Sequence, residues 1–344
     1  MNSHSHDSVR ELTARVVEEQ RGSYRLLCED TEYLAELAGR LRHRAGARAG
    51  LPAVGDFVRA VAVAPGTGRA VIHEVLPRWS RISRGAAGNP TEEQVLAANV
   101  DTAFIVTSLN LDLNPRRLER YVALVRNGGV APVILLNKAD LCADAATAVT
   151  EVAAATPGVA VHAMSAWLGQ GLEALTPYLA PGKTCVLLGS SGTGKSTIVN
   201  HLLGEEALRV SPVRENDGRG RHTTTHRELL RLPGGALLID TPGLREIQLW
   251  TSDEDGGLEQ AFGDITSLAT ACRFKDCEHR TEPGCAVKAA VAEGTLEPGR
   301  LASHAKLQRE LAFLERRQDK RARSEHKKKY RSVNLAKRTQ RVPW

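Results

Sequence analysis

The segment Gly189-Ser190-Ser191-Gly192-Thr193-Gly194-Lys195-Ser196 constrains the fold of this chain more than any other. It follows the apolar run Cys185-Val186-Leu187-Leu188 and precedes a helix-compatible stretch at 197–203. A strand, a glycine loop and a helix in that order make a phosphate-binding loop of the form GxxxxGK[ST]. Its glycines let backbone N–H groups turn inward around an anion, and the helix N-terminus adds partial positive charge. Such a loop belongs to a mostly parallel sheet covered by helices. Apolar runs at 103–106, 132–136, 159–161, 185–188 and 236–239, with helical stretches such as 116–126 and 146–155 between some of them, supply that sheet.

Within the loop, Lys195 is expected to reach β- and γ-phosphates, and Ser196 to ligate Mg²⁺. Thr197, at the start of the helix, completes the nucleotide-contacting set there. Asp240 closes the run Ala236-Leu237-Leu238-Ile239, where a magnesium-holding acid belongs, acting through water. Gly243, in Asp240-Thr241-Pro242-Gly243, can donate its N–H to a γ-phosphate. Upstream of all of these lies Asn137-Lys138-Ala139-Asp140, at the end of another apolar run. The Asp140 carboxylate can accept from the N1 and N2 donors of guanine, a donor pair adenine lacks. Asn137 can tie neighbouring loops together, and the Lys138 stem can cover the base plane. Ser165-Ala166 resembles a second guanine-contacting loop. Here the base selector precedes the phosphate loop, the reverse of the usual order, so the set reads as a circularly permuted GTPase. Arg219-Gly220-Arg221-His222-Thr223-Thr224-Thr225 occupies the first switch position. Thr224 is the first choice among its threonines for Mg²⁺. Leu244 stands where many GTPases place a water-orienting Gln, and His222 is the nearest candidate to position that water.

Residues from about 10 to 85 carry short strand-like runs (15–17, 24–27, 57–63 and 70–72) separated by glycine turns, which suits a small barrel. The stretch 34–49 is rich in Arg and Ala and is expected to be helical or mobile. Cys272-x4-Cys277-x-His279-x5-Cys285 offers three thiolates and an imidazole, the donor set of tetrahedral Zn²⁺, in a segment too polar to build much core. With all four positions filled by protein, the expected zinc is single and structural. Cys28, Cys142 and Cys185 are expected to be buried reduced thiols. Helical periodicity resumes at 305–323. The net charge of +6 is uneven: from His304 onward 14 Lys or Arg face 4 Asp or Glu, leaving the rest of the chain mildly acidic. A basic tail on an acidic body points to a polyanion, most simply nucleic acid. No apolar run reaches the roughly 20 residues of a membrane helix, and the first residues do not read as a secretory signal. A cytoplasmic monomer is the expectation.

On these residues the chain resembles the ribosome small-subunit-dependent GTPase A family. The resemblance includes Val54-Gly55-Asp56, Leu76-Pro77-Arg78, the permuted motif order, Gly220-Arg221-His222-Thr223-Thr224-Thr225 and Asp240-Thr241-Pro242-Gly243-Leu244-Arg245-Glu246. It extends through the span from Cys272 to Val287. It implies an N-terminal OB-fold barrel (1–90), a central α/β circularly permuted GTPase domain (91–254), a mainly helical zinc-binding domain (255–325) and a basic tail (326–344). It implies further that the protein binds GTP or GDP and the small ribosomal subunit with its rRNA, acts late in subunit maturation, and uses His222 in hydrolysis. The competing reading is an RNA-binding assembly factor that holds nucleotide structurally with little turnover.

Overall fold

The structure, a computed structural model, describes residues 10–20, 22–44, 48–64, 66–86, 89–110, 112–204, 227–240 and 257–312. His222, Thr224, Gly243, Leu244 and the basic tail therefore lie outside the described residues.

Five strands close the N-terminal barrel: β1 (Glu11–Gln20), β2 (Ser23–Cys28), β3 (Thr31–Leu37), β4 (Phe57–Ala62) and β5 (Arg69–Val75), in the order β1-β2-β3-β5-β4 with β4 returning to β1. All pairs are antiparallel except β3 with β5. Alternate residues point inward, as the two-residue period of a strand demands. Leu12, Ala14 and Val16 of β1 meet Tyr24 and Leu26, Tyr33 and Ala35, Val58 and Ala60, and Ala70 and Ile72 in one core. The expectation for 34–49 is corrected here. Its first residues belong to β3, where Tyr33 and Ala35 are buried between exposed neighbours; Gly39–Arg44 forms a helix, α1, and Arg48–Gly50 a single 3₁₀ turn. The Arg/Ala composition masked a strand whose inward positions are few. Asp56, fully buried, takes both oxygens to Arg78: Nε to Oδ1 at 2.7 Å and Nη2 to Oδ2 at 2.6 Å. Thus the two short motifs of the barrel are one ion pair.

A hairpin of β6 (Arg81–Ala86) and β7 (Asn89–Ala98) follows as a separate two-stranded sheet. The central sheet then builds from β8 (Thr102–Ser108), β9 (Ala131–Asn137), β10 (Ala160–Ala163), β11 (Thr184–Leu188), β12 (Arg227–Arg231) and β13 (Leu237–Asp240). Its parallel part runs β10-β9-β8-β11-β13. β8 and β11 are buried along their whole length, which explains why they read as unbroken apolar runs. Helices α2 (Pro115–Asn127), α3 (Ala145–Ala155) and α4 (Lys195–Leu203) accompany it. Asn114 caps α2 by accepting from the Arg117 N–H at 3.1 Å, with Pro115 in the first turn. β12 runs antiparallel to β13 and also pairs with β1, so barrel and central sheet are one continuous hydrogen-bonded surface. The C-terminal part is helical: α5 (Gly257–Ala261), α6 (Gly263–Ala269), α7 (Ala286–Ala292) and α8, described over 298–312. Among the described residues no helix is long and apolar enough to cross a membrane.

Candidate nucleotide site and metal cluster

Gly189 leaves β11 at φ +141°, where a β-carbon would collide with the Val106 carbonyl of β8. Gly194, at φ +95°, lies so close to the Asn137 carboxamide that only glycine fits. Between them Thr193 is buried, its hydroxyl donating to the Ser190 carbonyl at 3.0 Å. Lys195 begins α4 and turns its ammonium back into the loop, donating to the Gly189 and Ser190 carbonyls at 2.8 and 2.6 Å. Ser196 is exposed and Thr197 half-buried in the same turn. β11 and β13 are parallel with Val186 opposite Ile239, so Asp240 ends its strand on the side of the sheet where the loop begins.

Asn137 is the last residue of β9 and is 2% exposed. Its Nδ2 donates to the Thr193 carbonyl of the phosphate loop at 2.7 Å, and its Oδ1 accepts the Ala166 N–H at 2.9 Å. One side chain thereby joins the base-selecting, second guanine and phosphate loops. Lys138 adopts a left-handed conformation (φ +63°) that turns the chain sharply, and the Ala139 N–H then bonds the Met164 carbonyl at 3.0 Å. Asp140 follows, exposed, in a short 3₁₀ turn. Ser165 and Gln170 exchange backbone hydrogen bonds of 3.0 Å each, while the Ser165 hydroxyl accepts from Leu168 N at 3.2 Å. The loop carrying Ala166 is thus held from within. Asn137, Lys138, Asp140, Ser165, Ala166 and the residues from Gly189 to Thr197 gather at one end of the sheet, with Asp240 on the same side.

Cysteine and histidine donors form a second centre. The ligand atoms of Cys272, Cys277, His279 and Cys285 all lie within 4.8 Å of one another. Cys272 Sγ is 3.8 Å from Cys285 Sγ and 3.7 Å from His279 Nδ1, which is 3.4 Å from Cys285 Sγ. Tetrahedral thiolate–imidazole coordination separates its donors by roughly 3.5–3.8 Å, given metal–sulfur bonds of about 2.3 Å and metal–nitrogen bonds of about 2.0 Å. The cluster could therefore hold a metal ion with little movement. His279 reaches it through a left-handed backbone (φ +61°), and Cys285 also caps α7, accepting the Lys288 N–H at 3.4 Å. Of the other thiols, Cys185 is buried, and that burial, followed by the Asp101 charge, pushes it up to about 12. Cys28 and Cys142 are only half-buried, which corrects the expectation for both.

Sequence reasoning missed the joint between the C-terminal helices and the central domain. Arg300 of α8 clasps Asp264 with Nε at 2.5 Å and Nη2 at 2.8 Å, reaches Glu119 of α2 at 3.2 Å, and bonds the Ala155 and Ala261 carbonyls at 2.8 and 2.9 Å. Phe262 lies under the guanidinium at 4.8 Å, and His304 packs on that ring at 5.2 Å. Burial, with the His279 charge adding to it, pushes His304 down to about 4, so it is a neutral plate at pH 7. The only signals in the sequence were a lone acid inside an amphipathic helix and one arginine among many.

Against this geometry, a family model described as RsgA GTPase matches residues 75–250. The small ribosomal subunit biogenesis GTPase RsgA of Opitutus terrae is 51% identical over 90% of this chain and 86% of its own length. The chain belongs to the RsgA GTPase family. RsgA 1 of Oceanobacillus iheyensis is 43% identical over 98% of this chain and 95% of its own. The crystal structure of YjeQ from Thermotoga maritima superposes with a TM-score of 0.64 at 27% identity, covering 88% of this chain and 99% of that one. YloQ, described as a circularly permuted GTPase, gives 0.61 at 25% identity over 90% and 98%. The permuted order of the RsgA motifs is thus matched by a fold in which β9 and its base selector precede the phosphate loop.

Proposed function

We propose that this chain binds GTP, hydrolyses it to GDP and phosphate, and does so on the small ribosomal subunit late in that subunit's maturation. The observation that carries the reading is the bonded circuit through Asn137, which links a guanine selector to a phosphate loop in permuted order. The ribosomal part rests on relatives that are named small ribosomal subunit biogenesis GTPases. Asp140 reads guanine, with Ser165 and Ala166 closing the base site and Lys138 covering it. Backbone N–H groups from Gly189 to Thr197 and the Lys195 ammonium hold the phosphates. Ser196, Asp240 and Thr224 hold Mg²⁺, which when bound neutralises charge developing on the phosphates. Gly243 senses the γ-phosphate, and His222 positions the attacking water in place of the absent Gln.

Zn²⁺ is the ion that three thiolates and one imidazole suit best, and with no open position its role is structural. Elemental analysis should return one zinc per chain, and none in Cys277→Ser. The division at 1–90, 91–254, 255–325 and 326–344 assigns RNA contacts to the barrel and the basic tail. A cytoplasmic monomer that meets GTP, GDP and rRNA completes the reading.

Multiple-turnover GTP hydrolysis with small subunits, with large subunits and with neither tests it. Strong stimulation by small subunits alone is expected. Tight GTP binding without stimulation would instead favour an RNA-binding assembly factor that uses nucleotide as a structural ligand, a reading that Leu244 at the usual Gln position keeps in play.

A further inference from the structure

Away from the nucleotide site, a cavity of about 520 Å³ opens where three parts of the chain meet. Trp79 and Arg81 line it from the entry to β6, Arg126 and Asn127 from the end of α2, and Gln260 from α5. The volume falls within the range of small-molecule sites. Its wall is fixed, because the Arg81 N–H bonds the Gly128 carbonyl at 2.8 Å. Among the described residues no carboxylate lines it.

Three observations give the cavity a chemistry. Among the described residues the Arg126 guanidinium bonds three carbonyls, those of Gln260 at 2.7 Å, Pro157 at 3.4 Å and Gly158 at 3.2 Å. A guanidinium carries five N–H donors in a fork suited to phosphate, so donors remain. Burial and the neighbouring Arg300 charge both push its pKa below the ordinary arginine value. Asn127, 8% exposed, lies next to Arg126 in the same wall and brings a carboxamide to the cavity. A carboxamide and a guanidinium with donors to spare, side by side in one wall, suit an oxygen-rich anion. Finally, Trp79 is 60% exposed, an unusual state for a ring of that size, and it is steadied by Phe57 at 5.9 Å.

We propose that this cavity holds one nucleotide of a single-stranded RNA, its phosphate on Arg126 and Asn127 and its base stacked on Trp79. An aromatic platform beside a cationic groove is how single strands are held without sequence preference. The choice of RNA over a free nucleotide rests on the ribosomal reading above. The site is separate from the GTP site and shares no residue with it.

Photocrosslinking of the full-length chain, loaded with GDP, to a hexauridylate containing 5-bromouridine tests the assignment. Peptide mapping should place a crosslink on Trp79. In anisotropy titrations with fluorescein-labelled hexauridylate, Trp79→Ala should weaken binding roughly 5–150-fold, the span of one lost base–aromatic stack, while Trp79→Phe keeps most of it. Asn127→Asp, which sets a carboxylate beside Arg126, should weaken binding and flatten its salt dependence. GDP affinity should be unchanged in all three variants. Crosslinks confined to other residues, or hexauridylate affinity unchanged in both Trp79→Ala and Asn127→Asp, would overturn the site. Displacement of hexauridylate by UMP at equal concentration would overturn its assignment to a strand. Stimulation of wild-type GTP hydrolysis by small subunits is read separately, so failure of the ribosomal reading is distinguishable from failure of this one.

Discussion

Asn137 shows how much of a site can depend on one side chain. Its amide donates to the phosphate loop and accepts from the second guanine loop, and its own carbonyl takes the Leu109 N–H at 2.9 Å. Asn137→Ala strands the Thr193 carbonyl and the Ala166 N–H in a buried place. Each unmet group costs about 1–3 kcal/mol. If half of the two losses together falls on the loops' bound arrangement, GDP affinity drops roughly 5- to 150-fold, since 1.4 kcal/mol is a factor of ten. Displacement of a fluorescent GDP analogue measures it, and affinity within twofold of wild type would refute the linking role. Residues at this scale were legible where a motif fixes spacing. The tetrapeptide from Asn137 to Asp140, the loop from Gly189 to Ser196 and the Cys/His set all announce themselves by type and interval. Arg300 and Glu119 did not, because their meaning lies in partners far away in sequence. Arg300 and Glu119 are 181 positions apart.

At the scale of elements, α8 is pinned to α2 and α6 by charge in a dry setting. Arg300 is 5% exposed and Glu119 1%, so solvent screens the pair little. Removing one partner of such a group typically costs about 3–5 kcal/mol, and Arg116, at 2.8 Å from Glu119, argues for the lower end. Arg300→Met should therefore lower the urea midpoint of the C-terminal helices. Burial pushes the Asp264 carboxyl up, but the hydrogen bonds and charge of Arg300 outweigh it and hold the group below its ordinary value. A depressed carboxylate stabilises the fold above its unfolded pKa, near 3.9, and that contribution disappears as pH falls through the folded value. Unfolding of the C-terminal helices should thus become easier below about pH 4 in the wild type, and this pH dependence should be smaller in Arg300→Met. Urea titrations at pH 3 and pH 6 read both, and equal slopes in the two proteins would discard the ion pair as the cause. The long apolar strands β8, β9 and β11 were plain in the sequence because burial on both faces fills their centres with apolar residues and keeps Thr102, Thr107, Ser108, Asn137 and Thr184 to their ends. β12 was not: Arg227-Glu228-Leu229-Leu230-Arg231 buries only Leu229, and it becomes a strand by pairing with β13 and β1.

For the whole molecule, the consequence of β12 is mechanical. It carries the hydrogen bonding of the central sheet into the barrel, and Arg15 of β1 reinforces the seam. Its guanidinium donates to Gly55 O in the barrel at 3.2 Å, to Asn99 O beyond the hairpin at 3.3 Å, and to Thr184 Oγ1 at 2.8 Å. Thr184 opens β11, the strand that delivers the phosphate loop. Arg15 also lies 5.1 Å over the Phe57 ring, which neighbours Trp79. One residue therefore touches the barrel, the hairpin exit and the root of the nucleotide site. A change at the barrel can reach the loop only through a contact that differs between the two states, and this seam is one hydrogen-bonded route between them. Arg15→Met keeps the packing on Phe57 and removes all three hydrogen bonds. Basal GTP hydrolysis should stay as in the wild type, because no nucleotide-contacting residue changes. Hydrolysis stimulated by small subunits should fall, with the subunit concentration at half-stimulation little altered. An unchanged stimulated rate would mean that the signal travels through the C-terminal helices, where Arg300→Met gives the matching test.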